Sequence, residues 1–166
     1  MRGRIDFDTI IYMRDLIQTF DIRIISRLQQ IEVPLARIAI FVVYFWFGFL
    51  KLIGISPAAP LVQALFEKTI NFMPFTVFYA LFSVFEIVIG ILFLARGWER
   101  LAIFLLGLHL ITTILPLIFL PQIAWQTFLV PTLEGQYIIK NVFIAAIAVV
   151  IGSKLVPIAS TDKTKQ

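Results

Sequence analysis

The chain has 166 residues, 60% hydrophobic and 14% charged, with a formal net charge of +4. A soluble domain is about 45–50% apolar and about 25% charged, so one core of this size cannot hide the excess and the composition points to a membrane protein. Cysteine is absent, which excludes disulfides, thiol relays and Cys-ligated iron–sulfur or zinc sites; the positive charge reads as membrane topology, not nucleic-acid affinity.

Residues 1–33 are too charged to span a bilayer. Ile10, Met13, Ile17, Phe20, Ile24 and Ile31 recur at helical spacing, whereas Arg14, Asp15, Asp21, Arg23 and Arg27 fall largely elsewhere. This pattern predicts an amphipathic helix on the cytoplasmic membrane surface, with docking on a partner protein as the alternative. The opening stretch has no continuous apolar run before its first acids, so a cleaved signal peptide is not expected. Pro34 is placed at the start of the first span, where a missing N–H costs least.

Four apolar stretches follow, roughly 35–55, 74–95, 101–120 and 137–156, each near the ~20 residues that cross a hydrocarbon core. Lipid leaves no partner for an open sheet, so all four are predicted helical. Between the first two, Pro57 and Pro60 precede a short interfacial helix over 61–72; between the last two, Trp125 suits an interfacial aromatic belt. The predicted fold is therefore an all-α membrane protein, a four-helix transmembrane bundle over 34–157. An N-terminal amphipathic interfacial helix over 1–33 precedes it and a cytoplasmic tail over 158–166 follows. Lys51, Lys68 and Lys140 alone fall on one side; every other Lys and Arg falls on the other. The positive-inside rule puts both termini in the cytoplasm.

Each span carries a stripe of small or polar residues. The first has Tyr44, Gly48 and Lys51; the second Tyr79, Ser83, Glu86 and Gly90. The third has His109, Thr112, Thr113 and Pro116; the fourth Asn141, Ala145, Ala148 and Gly152. Spacings of three and four put each set on one helix face, and small residues allow close helix approach in lipid. At a rise of ~1.5 Å per residue, Glu86 lies roughly 18 Å below the outer end of its span, His109 roughly 16 Å and Tyr44 roughly 14–16 Å. The short link 96–100 makes the second and third spans antiparallel neighbours, so Glu86 and His109 are expected to meet. Lys51, Lys140 and Asn141 are expected to form a separate tier near the outer surface.

A carboxylate in mid-membrane is a functional-site hypothesis by default. A structural reading stands beside it. Burial raises a carboxyl pKa, so Glu86 can be a neutral acid bonded to Tyr, Ser or Thr. His109 can be a satisfied interior histidine, Lys51 and Lys140 can snorkel, and Thr112 and Thr113 can bond back to carbonyls near Pro116. No P-loop, dinucleotide fingerprint, zincin motif or Ser-His-Asp order is present. One His rules out bis-His haem ligation, one acid at depth rules out a diiron bundle site, and no metal is expected.

Gly48-Phe49-Leu50-Lys51-Leu52 resembles the GxxKF signature that closes the first span of DoxX-like membrane proteins. Phe85-Glu86-Ile87-Val88-Ile89-Gly90 resembles their second-span E-x-x-x-G motif. Thr112-Thr113 before a Pro, Trp125 and Lys140 are similar to the YkgB-type, reactive-chlorine-resistance branch. The resemblance covers about 37–152. It departs at Asn141, where an acid is expected, and at His109, which the family pattern does not include. It implies a bacterial-type inner-membrane protein, not catalytic by itself, that is a component or accessory subunit in membrane redox or oxidative-stress physiology. Its expected partners are the lipid bilayer and a protein partner or a homo-oligomer, with no nucleic acid. A quinone- or lipid-binding oxidoreductase subunit, with Glu86, His109 and Tyr44 around the headgroup, is one alternative; a small proton or solute conductor is another. No covalently bound cofactor is expected, and quinone or lipid are the candidate ligands.

Overall fold

The computed structural model describes residues 7–70 and 72–157, with side chains from Tyr12 onward. The tail expected over 158–166 and the side chain of Ile10 therefore lie outside the described residues. Helix α1 spans Phe7–Leu52, α2 Ala59–Thr69, α3 Phe75–Leu94, α4 Glu99–Phe119, α5 Pro121–Ala124 and α6 Leu133–Ser153. Four of these, α1, α3, α4 and α6, are long and apolar enough to cross a membrane, as the apolar runs predict. Residues up to Leu35 and those from Ala36 onward form two compact units.

In the first unit, Met13, Ile17, Phe20, Ile24 and Ile31 are all exposed. The break expected at Pro34 does not occur: α1 continues through it without interruption. Proline withholds one N–H, which leaves only the Gln30 carbonyl without its helical donor. Leu28, Gln29 and Gln30 before it, and Leu35, Ala36 and Arg37 after it, all favour helix.

In the second unit the core is Ile40, Tyr44, Ile89, Phe93, Ala102, Leu106, Ala148 and Ile151. Trp46, Leu81, Phe104, Ile111, Phe143 and Val149 are exposed, which in lipid is an apolar side chain in an apolar solvent. The α1–α3 crossing is unusually close. A Cβ on Gly48 would lie 3.0 Å from the Ser83 carbonyl oxygen and 3.1 Å from Glu86 Cβ; one on Gly90 would lie 3.1 Å from the Phe45 backbone nitrogen and 3.3 Å from Tyr44 Cβ. A larger residue at either position would have to be met by shifts of a few tenths of an ångström in its neighbours.

The ends of the helices are closed by specific side chains. Arg37 donates to the Phe93 carbonyl, one of the orphan acceptors at the C-terminal end of α3, and through Nη1 to Glu99 Oε1 at 2.7 Å. Glu99 sits in the first turn of α4, where the helix dipole favours a negative charge. One guanidinium thus joins three helices. At the opposite end, Lys68 of α2 donates to the Phe119 carbonyl at 2.9 Å. Pro121 cannot donate to Leu117, and the Trp125 indole N–H takes its place at 3.0 Å.

One feature of the loop before α6 departs from an all-helical expectation. Strands β1, Trp125–Thr127, and β2, Val130–Pro131, pair antiparallel. Leu129 turns the chain with φ at 60°. Thr132 then caps α6, accepting from the Gly135 N–H at 3.1 Å and donating to the Ile123 carbonyl at 2.7 Å. A Cβ on Gly135 would lie 2.1 Å from the Ala124 carbonyl oxygen, so only glycine lets this turn seat against α5. The cap is why α6 begins at Leu133, a turn earlier than the apolar run suggests.

Arg37→Ala removes two charge-assisted bonds and leaves Glu99 without its cation. The expected loss is about 1–3 kcal/mol, read as reversible unfolding in detergent micelles. An unchanged transition would show that the clamp contributes nothing.

Candidate functional site

The close crossing of α1 and α3 creates the site. Gly48 lies three residues before Lys51 and four after Tyr44, on one face of α1; Gly90 lies four residues after Glu86 on α3. With no side chain at either glycine, Lys51 meets Glu86 directly. Lys51 Nζ donates to Glu86 Oε1 at 2.8 Å and to Oε2 at 2.6 Å. His109 Nε2 lies 2.9 Å from Glu86 Oε1, and the Tyr44 hydroxyl lies 3.0 Å from His109 Nδ1. Lys51 is 7% exposed, and Tyr44, Glu86 and His109 are 5% exposed. Four side chains from three helices form one continuous chain inside the bundle.

The hydrogens follow from the donors and acceptors. An ionised Glu86 accepts from Lys51 and from an Nε2–H on His109. His109 Nδ1 is then bare and accepts from the Tyr44 O–H. This assignment uses every contact and has no net charge: one ammonium, one carboxylate, one neutral imidazole and one phenol. Neutrality matters here, because desolvating an unpaired ion costs several kcal/mol.

Aromatic rings enclose the chain. Phe82 stacks on the imidazole of His109 at 5.2 Å between centroids with an interplanar angle of 20°. Tyr44 meets it edge-on at 5.1 Å. Lys51 Nζ stands 5.8 Å from the Phe82 ring centroid, within cation–π range.

The expected meeting of Glu86 and His109 is present, and Tyr44, expected at a similar depth, bonds to His109. The expected placing of Lys51 with Lys140 and Asn141 is corrected: Lys51 is neither snorkelling nor in an outer tier, but is the principal partner of Glu86. Its flexible four-carbon stem carries the ammonium well away from its own backbone level. Lys140 stays apart, with Nζ 5.4 Å from the Tyr137 ring centroid. Thr112 and Thr113 do not reach Glu86; they donate to the carbonyls of His109 at 2.7 Å and Leu110 at 2.9 Å. Asn141 donates to Thr113 Oγ1 at 3.4 Å. These three residues are ordinary helix and inter-helix polar contacts.

Two features were not legible as parts of a network. Arg37 reads in the sequence as one more cytoplasmic charge, and nothing marks Glu99 as its partner. Ser56, in the turn after α1, is buried, although a serine between Ile55 and Pro57 looks like loop. Comparison of the chain with protein-family models, with curated proteins and with solved structures gives no match.

Removing either member of the Lys51–Glu86 pair strands a buried charge. Glu86→Leu and Lys51→Met are each expected to cost about 3–5 kcal/mol. The double variant is expected to lose much less than the sum. A double-mutant cycle by unfolding in micelles measures this coupling, and additive losses would contradict a direct pair.

Proposed function

We propose that this chain is a DoxX-like integral membrane component, not catalytic by itself, that serves membrane redox or oxidative-stress physiology from a bacterial-type inner membrane. The observation that carries the reading is the buried Lys51–Glu86–His109–Tyr44 chain. Ionisable groups inside a bilayer are expensive and mark proton, ion or ligand sites. Support for the family reading comes from Gly48 and Lys51 on one side and Glu86 and Gly90 on the other: the residues of the two motifs meet each other in space. Such a centre provides a membrane subunit with a fixed place to hold a proton or polar ligand while a partner carries the electrons.

A second reading has a specific observation in its favour. Phe82 stacks on the imidazole and Tyr44 stands edge-on, and the third N–H of Lys51, beyond its two bonds to Glu86, suits a carbonyl oxygen of a quinone headgroup. Native purification separates the two. A stoichiometric protein partner supports the accessory subunit, and a co-purifying quinone supports the ligand site.

Glu86→Gln tests whether the centre works or only packs. The amide keeps the shape but loses the charge. Survival under a reactive-chlorine challenge, normalised to the amount of protein in the membrane, is expected to fall at least tenfold. Full protection by the variant would sink the functional role.

Topology is part of the same proposal. The distribution of basic residues supports an orientation with both termini in the cytoplasm. Cysteines at Ser160 and Thr132 are expected to label from opposite sides with an impermeant reagent. Labelling of both in intact cells would refute the arrangement. The apolar stripe on Met13, Ile17, Phe20, Ile24 and Ile31 is assigned to the membrane surface. Spin labels at Ile17 and Gln18 test it: Ile17 is expected to be reached by a lipid-soluble quencher and Gln18 by an aqueous one. Equal aqueous access at both would contradict the assignment.

A further inference from the structure

Tyr79 is buried beside the chain but takes no part in it. It is 9% exposed, and its hydroxyl closes no hydrogen bond. A buried phenol O–H that finds no acceptor is costly, and such a donor marks a place where a water or a ligand belongs. Tyr79 stands two turns before Glu86, on the same buried face of α3 that carries Ser83. Ser83 is already satisfied, donating to the Tyr79 carbonyl at 2.6 Å. The Ser56 hydroxyl is near enough to act on the Tyr79 phenol and is itself buried. It accepts from the Ala58 N–H at 3.3 Å, which leaves its own O–H to donate. Ser56 belongs to the turn between α1 and α2. Polar groups therefore continue from Glu86 toward the face of the bundle that carries α2.

The opposite direction is different. Below Tyr44, Glu86 and His109, toward the Arg37 end, the interior is Ile40, Ile89, Phe93, Leu106 and Ile151, each no more than 1% exposed. Among the described residues, the cluster that forms this layer is apolar except for Tyr44 at its upper edge. It is about two helical turns deep, roughly 10 Å at the rise of an α-helix. A proton has no group to rest on across it.

We propose that the Lys51–Glu86–His109–Tyr44 chain is a proton-binding site with one-sided access. Protons reach it from the α2 face by way of Ser56, Tyr79 and a water held between them and Glu86. The apolar layer seals it from the other face. The groups placed around the bound proton are Lys51 and Tyr44 from α1, Tyr79 and Glu86 from α3 and His109 from α4; on α6 Asn141 is engaged with Thr113 and Lys140 lies over the Tyr137 ring, and on α2 Glu67 is engaged with Gln63 and Lys68 with the Phe119 carbonyl. The resting chain has no net charge. Taking up one proton on the His109 imidazole leaves a net charge of one: Nδ1–H then donates to the Tyr44 oxygen, the Tyr44 O–H turns away, and Glu86 stays ionised between the imidazolium and Lys51. The site loads and unloads from one side, and does not conduct. The proposal rests on the functional reading above only in taking the bundle to cross a membrane. Loss of oxidant protection and loss of proton access are separate outcomes.

The test uses the full chain in liposomes, with the single histidine labelled with 15N. A trapped pH dye is expected to report no more proton flux than protein-free vesicles; flux that scales with protein content would overturn the seal. After transfer to deuterated buffer, the His109 ring proton is expected to exchange within minutes. Tyr79→Phe is expected to slow that exchange at least tenfold while the ring's 15N shifts stay in place. Where Tyr79→Phe does not assemble, Ser56→Ala in the connecting turn tests the same path. Exchange unaltered in the assembled variants would overturn the route through Tyr79 and Ser56.

Discussion

A carboxylate in the middle of an apolar bundle has to be matched by a cation and by further donors, or it is driven to the neutral form. Here the match is complete. Lys51 supplies two bonds to Glu86 and His109 a third, and Tyr44 completes the imidazole. The match depends on backbone proximity. Gly48 and Gly90 let α1 and α3 approach until Lys51 and Glu86 face each other. In lipid, association comes from packing and hydrogen bonds because lipid tails are as apolar as leucine. The glycines and the ion pair therefore act together: the first bring the helices close, and the second penalises their separation by exposing two charges.

Bundle polarity follows from where that pair sits. The α2 half carries Ser56, Tyr79, Ser83, Lys51 and Glu86, and the Arg37 half carries the aliphatic core. Each half is closed in its own way. Arg37 and Glu99 tie α1 to the α3–α4 link. On the other side, Lys68, Trp125 and Thr132 spend their donors on carbonyls that the helix ends and Pro121 leave free. The short β1–β2 ribbon belongs to this second closure, since it places Trp125 against the end of α4.

The four apolar helices were legible in the sequence because hydrocarbon thickness dictates their length and lipid forbids anything but helix. The meeting of Glu86 and His109, with Tyr44 at a similar depth, was legible for the same reason: counting residues along antiparallel helices gives depth. Lys51 was misplaced because that count locates backbone, whereas a long flexible side chain acts at another level. Thr112, Thr113 and Asn141 share the polar stripe but not the site, because a hydroxyl one turn from a free carbonyl is satisfied locally. Pro34 reads as a helix start, yet in the structure it is interior. A single lost hydrogen bond does not outweigh good helix formers on both sides. The ribbon, Ser56 and the Arg37–Glu99 pair left no periodic signal, since each depends on what the fold brings alongside.

The central claim is that an ionised Glu86 is held between Lys51 and an imidazole whose proton is on Nε2. The chain has one histidine, so the 15N spectrum of His109 in lipid needs no assignment. The account predicts a neutral ring with a protonated Nε2 and a bare Nδ1 that accepts from Tyr44. A ring protonated on Nδ1 alone would require a neutral Glu86 donating to Nε2 and would contradict it.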